Sequence, residues 1–565
     1  TLRRATFPDK SLPFRCLFGG RASTARHGTA FAISVHRKRR DAEETMANRR
    51  LFRSLVGKLV PATNATNEAG GVAYERTPKQ ALAQYVATGC LNATFYASAD
   101  DQLEKLLALA AKVDSEFLAK LAVFARESAW MKDAPALLCA VLSTRSPEHL
   151  AKAFPRVVDN GKMLRNFVQV VRSGAVGRKS LGTVPKRLVR EWLAGKSGTA
   201  LFRASVGNQP SLADVIKMVH PKPADGARQA LYGYLIGKEV DETALPEIVR
   251  QFEAFKSAGA SGTRQVPNVP FEMLTALELG RDEWVAIARK ASWQMTRMNL
   301  NTFARHGVFE VPGLANLVAS RLANPREIAR SRVFPYQLLA AHSSAREGVP
   351  PVVREALQDA MEVAIAKVPR IEGKVFVCPD VSGSMSSPVT GHRKGATTAV
   401  RCIDVAALVS AAIVRANPKA EVLPFEQKVV PVNLNPRDSV VTNARKLAAI
   451  GGGGTNCSAA LEALNGRRAK GDLVVFVSDN ESWADPRTGR GSALMGEWSR
   501  FRKRNPGAKL ACVDLQPSGT TQAAEGDDVL NVGGFSDEVF NVLSAFAQGK
   551  LAADHWVGRV EEVVL

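Results

Sequence analysis

The spacing of apolar residues changes once along the chain, near Pro369. Before that point, segments such as 103–111 and 116–126 repeat apolar side chains at intervals of three and four, as amphipathic helices do. Glycines and prolines separate many such segments over residues 77–370. Further helices are predicted at 134–144, 184–194, 212–219, 225–237, 245–257, 282–291, 312–322 and 351–367. Short helices joined by short turns predict an all-helical solenoid of paired helices.

After Pro369, short apolar runs alternate with helical segments. The predicted strands are 375–378, 421–425, 473–478 and 509–515. The predicted helices are 397–416, 439–449, 492–504 and, as the last one, 536–548. This alternation is typical of a doubly wound α/β domain with a parallel sheet.

The charge of the chain is unevenly distributed. The 565 residues carry a net charge of +22. Residues 46–370 contain 44 Lys and Arg against 29 Asp and Glu, whereas residues 371–565 contain 22 against 21. A basic domain of this size favours a polyanionic partner, most often a nucleic acid. The alternative is that a whole proteome is biased toward basic residues for solubility. Such a bias would also make the last third of this chain basic, which it is not.

Cysteine use and hydropathy exclude several protein classes. Seven cysteines are thinly spread without a CxxC pair, which argues against a disulfide framework and against a structural zinc site. We therefore expect a reducing compartment and a cytoplasmic location. No apolar run approaches the ~20 residues that a membrane span needs, so no membrane association is expected.

Residues 1–65 are predicted to be a basic, disordered N-terminal extension. They include the run Arg37–Arg40 and few acidic residues. Three interpretations stay open for residues 1–45: a transit peptide, a basic RNA-binding arm, or an extension upstream of a true start at Met46. We favour the last, and we then expect a chain beginning at Met46 to keep nearly full affinity for its nucleic acid.

The loop after the first predicted strand of the α/β domain carries Asp380, Ser382 and Ser384. Thr455 ends a run of four glycines, and Asp479 follows the strand at 473–478. Ligands of open α/β sheets bind beyond the carboxyl ends of the strands. Carboxylate and hydroxyl oxygens suit a hard cation, so these five residues are the predicted ligands of Mg²⁺ or Mn²⁺. The alternative is a Ser/Gly turn that caps the next helix.

This D-x-S-x-S…T…D pattern resembles the metal-ion-dependent adhesion site of von Willebrand factor A domains. The resemblance covers about residues 371–550 and includes all five positions, which makes residues 371–565 an A-like domain with a metal site. In that family the metal keeps an open position for a carboxylate of a partner. The run Gly451–Gly454 lacks the following Lys of a phosphate-binding loop, so a turn that presents Thr455 is the better interpretation.

The basic helical part resembles a second module. Residues 89–98, 180–192, 214–223 and 293–303 look like motifs of the TROVE module, which is found in telomerase-associated proteins, the Ro autoantigen and vault proteins. With the A-like domain behind it, the chain resembles bacterial Ro proteins. The predicted TROVE helical-repeat domain, which would bind RNA, spans residues 66–370.

The Ro resemblance implies a ring of HEAT-like helical repeats that the A-like domain closes. It also implies that single-stranded ends of misfolded noncoding RNAs enter the hole, while small structured Y RNAs bind the outer surface. The implied outer contacts are Lys179, Lys186, Arg187, Arg190, Arg203, His220 and Lys222, and the candidate hole contacts are Arg297 and Arg305. Gly207 stands near a position that is basic in the family. Ordinary solvated helix faces and, for His220, a turn before Pro221 are the alternatives.

We therefore expect a noncatalytic, monomeric RNA-binding protein that acts in RNA quality control or decay and passes some RNAs to an exoribonuclease. Two other functions are the alternatives. A metal-dependent nuclease would cluster carboxylates around two metals, and the predicted site supplies only two acids. An A-domain scaffold with metal-dependent protein binding would leave the basic charge of the helical part unexplained.

Overall fold

The computed structural model describes residues 60–88, 96–258, 265–366, 368–389, 400–484, 491–534, 538–551 and 555–565. The leader with Met46, and residues 89–95 of the first TROVE-like motif, lie outside these ranges. Residues 60–565 form one compact unit. This unit therefore includes residues 60–65 of the predicted extension.

Helices make up most of the chain before residue 366. Two short strands come first, β1 (Ala65–Thr66) and β2 (Val72–Glu75). The helices are α1 (Pro78–Thr88), α2 (Ala99–Ala111), α3 (Ser115–Glu127), α4 (Asp133–Arg145), α5 (Pro147–Val157), α6 (Gly161–Ser173), α7 (Thr183–Gly195), α8 (Gly198–Ala204), α9 (Leu212–Val219), α10 (Gly226–Leu235), α11 (Glu247–Ser257), α12 (Phe271–Leu274), α13 (Arg281–Lys290), α14 (Trp293–Met298), α15 (Leu300–Arg305), α16 (Leu314–Leu322), α17 (Pro325–Ser331), α18 (Pro335–Ser344) and α19 (Pro351–Ile365).

The helices stack as a repeat. From α3 to α7, each helix packs on the next but one along the chain, which is how paired helices build a solenoid. The starts of the helices are locally encoded. In α9, the Ser211 hydroxyl accepts from the Asp214 amide at 3.1 Å, and the Asp214 carboxylate accepts from the Ser211 amide at 2.9 Å. The predicted helical-repeat architecture is confirmed.

Arginines join neighbouring repeats at helix ends. Arg178 donates to the Ser143 carbonyl at 2.7 Å, Arg228 to the Leu193 carbonyl at 3.2 Å, and Arg321 to the Ala288 carbonyl at 2.7 Å. Each acceptor lies in the last turn of a helix about 33–35 residues earlier. The carbonyls there have no partner within their own helix. Part of the positive charge of this region thus has a structural role.

The C-terminal part is an α/β domain. Its elements are β3 (Val375–Pro379), α20 (Cys402–Ala416), β4 (Glu421–Val422), α21 (Val440–Ala448), α22 (Ala459–Gly466), β5 (Leu473–Ser478), α23 (Ala493–Arg504), β6 (Lys509–Asp514), β7 (Thr520–Thr521), β8 (Val529–Gly533), α24 (Glu538–Ala547) and α25 (His555–Glu561). The sheet has the order β4-β3-β5-β6-β8, and all its pairings are parallel.

Each face of this sheet packs on its own core. Val375 and Val377 of β3 belong to the core that includes α20 and α24, while Phe376 and Cys378 belong to the core that includes α22 and α23. The predicted doubly wound domain is confirmed. Several predicted details were wrong. The strand β4 is shorter than 421–425, the elements β7, β8 and α22 were missed, and the last helix is α25 rather than the one at 536–548.

The helical region begins and ends against the α/β domain. Near its start, β2 pairs with β7, and α1 packs on β8. At its end, α18 and α19 pack on α20 and α21, where the Val440 amide donates to the Glu362 carboxylate at 2.9 Å. The predicted closure of a helical ring by the α/β domain is therefore confirmed. No helix in the described ranges is both long enough and apolar enough to cross a membrane.

Candidate metal centre and nucleic-acid interface

The five predicted metal ligands meet at one point beyond the carboxyl ends of β3 and β5. Asp380 directly follows β3, and Asp479 directly follows β5. Ser382 and Ser384 lie on the loop after β3, and Thr455 lies on the loop that precedes α22. All five side chains are at most 5% exposed. The strand order therefore brings together residues that are up to 99 positions apart.

Hydrogen bonds organise this group of oxygens. Asp380 accepts from the Ser382 amide at 2.8 Å and from the Ser478 hydroxyl at 2.6 Å. The Thr455 hydroxyl donates to the Ser382 oxygen at 3.0 Å, and the Ser382 and Ser384 oxygens are 3.3 Å apart. The hydroxyls are thus fixed beside the Asp380 carboxylate.

The glycine run allows Thr455 to approach Ser382. Gly453 has a φ of +74°, and a Cβ at this position would lie 1.3 Å from the Glu426 carboxylate. Another residue would be strained by this positive φ, and it would force the Glu426 side chain to move. Its carbonyl accepts from the Gly383 amide at 3.1 Å, which holds the two loops together.

The electrostatics of the group fit a divalent cation. Burial first, and then the nearby Asp479, raise the pKa of Asp380, and burial raises the pKa of Asp479. One carboxylate oxygen of Asp479 is buried without a hydrogen-bond partner in the described part of the chain. Two buried carboxylates with neutral hydroxyls around them provide oxygen ligands that a hard cation prefers. No three His, Cys, Asp or Glu side chains are grouped as metal ligands in the described ranges, and this candidate centre has only two carboxylates beside its hydroxyls.

Residues near the start of the described chain contact this centre or the segment that follows Asp479, and sequence reasoning missed them. The Asn67 amide donates to the Ser482 carbonyl at 2.7 Å, and the Ala69 amide donates to the Glu481 carboxylate at 3.2 Å. Tyr96 forms a hydrogen bond with Ser384 itself. Tyr96 belongs to a quoted motif, but nothing in its spacing indicated a contact nearly 300 residues away.

The buried carboxylates predict a pH effect on the metal-free protein. Burial is the main cause that raises the pKa of Glu481 to about 8, and the Asp479 charge adds to it. A raised folded-state pKa means that the folded protein holds the proton more tightly than the unfolded chain does. The contribution of Glu481 to the stability of the folded protein is fully present below the pKa that this residue has in the unfolded chain. It is lost as the pH rises through about 8. We expect a lower melting temperature at about pH 8.5 than at about pH 6 in a chelator, and a smaller difference with excess Mg²⁺. An unchanged or higher melting temperature at the higher pH would contradict this.

The predicted outer contacts lie on consecutive elements of the helical region. Lys179 is exposed on the turn before α7, and Arg187 and Arg190 are exposed on α7, where Lys186 is half-buried. His220 and Lys222 are exposed at and after the end of α9. We call Lys179, Lys186, Arg187, Arg190, His220 and Lys222 the outer basic surface. Arg190 donates to the Val219 carbonyl, which connects the α7 and α9 parts of this surface.

Two of the predicted outer contacts, His220 and Arg203, also form hydrogen bonds within the protein. His220 ends α9 with a left-handed backbone, and its amide donates to the Ile216 carbonyl at 2.9 Å. Its backbone therefore forms the predicted turn, while its side chain stays exposed. Arg203 is exposed on α8, but its guanidinium donates to the Asn268 carbonyl at 2.9 Å.

The structure places a basic group beside Gly207. A Cβ on Gly207 would lie 2.5 Å from the guanidinium of Arg165, which donates to the Ala204 carbonyl at 2.7 Å. Gly207 has a φ of +108°, which a residue with a Cβ rarely adopts. The basic group nearest to Gly207 thus belongs to α6 and already has a backbone partner.

The two candidate hole contacts are differently placed. Arg297 is only partly exposed, and it donates to Gln294 at 3.0 Å and to the Gln337 carbonyl at 2.9 Å. Arg305 is exposed on α15, where it donates weakly to Thr302 at 3.4 Å.

Two adjoining cavities lie where the early and late helices of the ring approach each other. Cavity A has about 850 Å³ and is bounded by α3, α17 and α25. Cavity B has about 720 Å³ and lies between the segment around α3–α5 and the segment around α17–α18. Gln294 and Gln337 line cavity B, so Arg297 stands behind its wall, and Arg305 lines neither cavity. Trp130 and Arg332 line both cavities, and sequence reasoning missed them.

Comparisons with known proteins agree with this architecture. Residues 374–547 match the model of the Ro60 vWA domain. A protein of Deinococcus radiodurans named RNA-binding protein RO60 is 26% identical over 526 residues, covering 86% of this chain and 95% of that protein. The crystal structure of the Deinococcus radiodurans RO (RSR) protein superimposes with a TM-score of 0.58 at 22% identity, covering 84% of this chain and 100% of that chain. The matching domain model, the relative that spans nearly the whole chain and the shared fold make this chain similar to Ro-type proteins over most of its length.

Proposed function

We propose that this chain is a noncatalytic RNA-binding protein of RNA quality control or decay. Small structured RNAs of the Y type bind its outer basic surface, and single-stranded ends of misfolded noncoding RNAs enter the ring. It acts in the cytoplasm as a monomer and passes some RNAs to an exoribonuclease. The name of the Deinococcus relative supports RNA as the ligand.

The outer basic surface carries this proposal. Lys179 and Lys222 are exposed and form no ion pair within the described residues, so their charges are available to phosphates. Arg187, in contrast, forms an exposed ion pair with Glu191 at 2.8 Å. Lysine contacts to phosphates supply affinity without reading a base sequence, which suits recognition of a folded RNA by its shape.

We further propose that Mg²⁺ or Mn²⁺ binds Asp380, Ser382, Ser384, Thr455 and Asp479. When bound, the ion neutralises the two buried carboxylates. The chain's own part is to hold the hydroxyls in place through the hydrogen bonds between the loops. The partnerless oxygen of Asp479 supports this proposal.

The first test reverses two charges of the outer basic surface, in the double variant Lys179→Glu/Lys222→Glu. Affinity for a small stem–loop RNA is expected to fall on the order of tenfold or more, because duplex phosphates lose two cations and meet two anions. Loss of two phosphate contacts also flattens the log–log salt slope by roughly 1.8. Affinity for a plain single strand should fall much less. Filter binding at several salt concentrations measures all three quantities.

A matched control separates position from net charge. The variant Lys419→Glu/Lys503→Glu makes the same change in charge on exposed lysines of the α/β domain. It should leave both affinities nearly unchanged. Equal losses in the two double variants would mean that only the overall charge of the protein matters, and the outer surface would then have no specific role.

A second candidate function has one observation in its favour. Trp483 is 53% exposed, and its amide donates to the Thr455 carbonyl at 3.1 Å, beside the candidate metal centre. An exposed aromatic side chain next to a cation site suits a protein ligand of the α/β domain. Trp483→Ala should leave both RNA affinities unchanged; it should weaken capture of a protein partner only if this second function holds.

A further inference from the structure

Trp130 and Arg332 form a stack between distant parts of the ring. The guanidinium carbon of Arg332 lies 3.5 Å from the centroid of the Trp130 ring. Trp130 stands between α3 and α4, and Arg332 ends α17. A cation over the face of an indole is a favourable contact, and here it joins segments about 200 residues apart.

The backbone at both residues is unusual. Trp130 has a φ of +59° and Arg332 a φ of +51°, the left-handed region that residues with a Cβ seldom occupy. Such conformations are retained where the surrounding structure enforces them.

The stack borders both cavities. Trp130, Arg332 and Phe334 line both cavity A and cavity B. Phe334 itself stacks on Tyr336, with ring centroids 5.8 Å apart and planes 14° apart. The stack therefore stands at the wall that the two cavities share, next to a second pair of aromatic rings.

The wall of cavity B carries both charges: the basic side chains are Arg126, Lys132, Arg156 and Arg332, and the acidic ones are Glu127, Asp133 and Asp159. Arg126 and Arg156, which line cavity B, pair with Asp159 and Glu127. Arg332 and Lys132 form no ion pair with any residue that the structure describes. An indole face beside two available cations matches one unpaired nucleotide, whose base stacks and whose phosphate is anionic.

We propose that Trp130 is a stacking platform for one unpaired base of a single-stranded RNA end, and that Arg332 covers this platform until the RNA arrives. This rests on the proposed function, because it assigns residues to the entry of single strands into the ring. A base displaces the guanidinium from the indole, and the displaced guanidinium then contacts the adjoining phosphate. A base-paired end cannot do this, because its bases already stack on each other.

The test uses the full chain, a twelve-nucleotide oligouridylate and a closed hairpin without free single-stranded ends. Trp130→Leu keeps an apolar side chain but removes the flat face, and it should lower oligouridylate affinity on the order of tenfold with no change for the hairpin. Trp130→Phe keeps a smaller face and should restore most of the affinity. Oligouridylate should quench tryptophan emission of the wild type, and this quenching should be largely lost in Trp130→Phe.

Two variants of equal net charge test whether Arg332 covers the Trp130 ring before RNA binds. Arg332→Ala exposes the indole, whereas Lys132→Ala removes one charge from the same wall and exposes nothing. In stopped-flow measurements, Arg332→Ala should associate with oligouridylate faster than Lys132→Ala does. Equal or slower association overturns the covering role.

The remaining outcomes are also distinguishable. If Trp130→Leu leaves the oligouridylate affinity unchanged, or if it lowers the hairpin affinity equally, Trp130 is not a stacking platform. The proposed function still holds in that case, provided that the wild type binds the hairpin. A wild type that binds neither RNA overturns both.

Discussion

Asp380→Ala is expected to abolish saturable binding of Mg²⁺ and Mn²⁺ in calorimetry. Asp380 supplies one of only two carboxylates in the candidate centre, and neutral hydroxyls alone hold a divalent cation weakly in competition with water. A ligand at 100 times its dissociation constant stabilises the folded protein by about 2.7 kcal/mol. The wild type should gain about this much from saturating metal, whereas the variant should gain nothing.

The matched control is Ser386→Ala on the same loop. The Ser386 hydroxyl is exposed and donates to the Gly383 carbonyl at 2.7 Å, outside the set of five ligands. It should leave the metal affinity nearly unchanged. Asp380→Ala should also remain folded in a chelator, because it removes a buried carboxylate whose pKa is already raised by burial and by Asp479. Unchanged metal affinity in Asp380→Ala would refute the assignment.

RNA binding should survive the same substitution. The outer basic surface lies on α7, α9 and their turns, none of which contributes a ligand to the centre. A large loss of RNA affinity in folded Asp380→Ala would show that metal and RNA binding are coupled.

Local patterns in the sequence were sufficient to predict most elements and the metal loop. The helix predicted at 212–219 has those bounds in the structure. The five oxygens could be placed together because parallel strands end at the same edge of a sheet. The strands β1, β2 and β7 were missed because they are short, and because β2 pairs with a partner more than 440 residues away. No local pattern reports such a pairing.

The functions of individual arginines could not be predicted from charge. The composition indicated a basic partner-binding domain, but Arg178, Arg228 and Arg321 bind helix-end carbonyls of preceding repeats. Arg297, expected in the hole, binds Gln294 and Gln337 behind a cavity wall. The direction in which a side chain points depends on packing between repeats, and a count of charged residues does not contain that information. Trp130 was missed for the same reason, since its partner Arg332 is remote in sequence.

The second large effect is expected where the helical region joins the α/β domain. Arg76 lies between β2 and α1 and forms an ion pair with Asp514 at the end of β6, with both side chains at most 2% exposed. Its Nε also donates to the Thr520 carbonyl at 3.1 Å, next to the pairing of β2 with β7. Removing one partner of a buried ion pair leaves an uncompensated charge, which costs about 3–5 kcal/mol. We expect Arg76→Met to lower the free energy of unfolding in urea by about this amount at pH 8.

The pH dependence and two further variants test the origin of this loss. Burial raises the pKa of Asp514 to about 7 even with Arg76 present, so without the arginine the carboxyl should take up a proton more readily. The loss should therefore be smaller at pH 6 than at pH 8, because a protonated Asp514 is no longer a buried charge. Arg76→Met combined with Asp514→Asn should recover much of the stability, since replacing both charged partners is far less costly than removing one. Arg187→Met breaks the exposed Arg187–Glu191 pair and should cost at most about 1 kcal/mol. If Arg76→Met costs no more than Arg187→Met at either pH, the ion pair does not fasten the start of the ring to the α/β domain, and the pairing of β2 with β7 and the packing of α1 on β8 must do so.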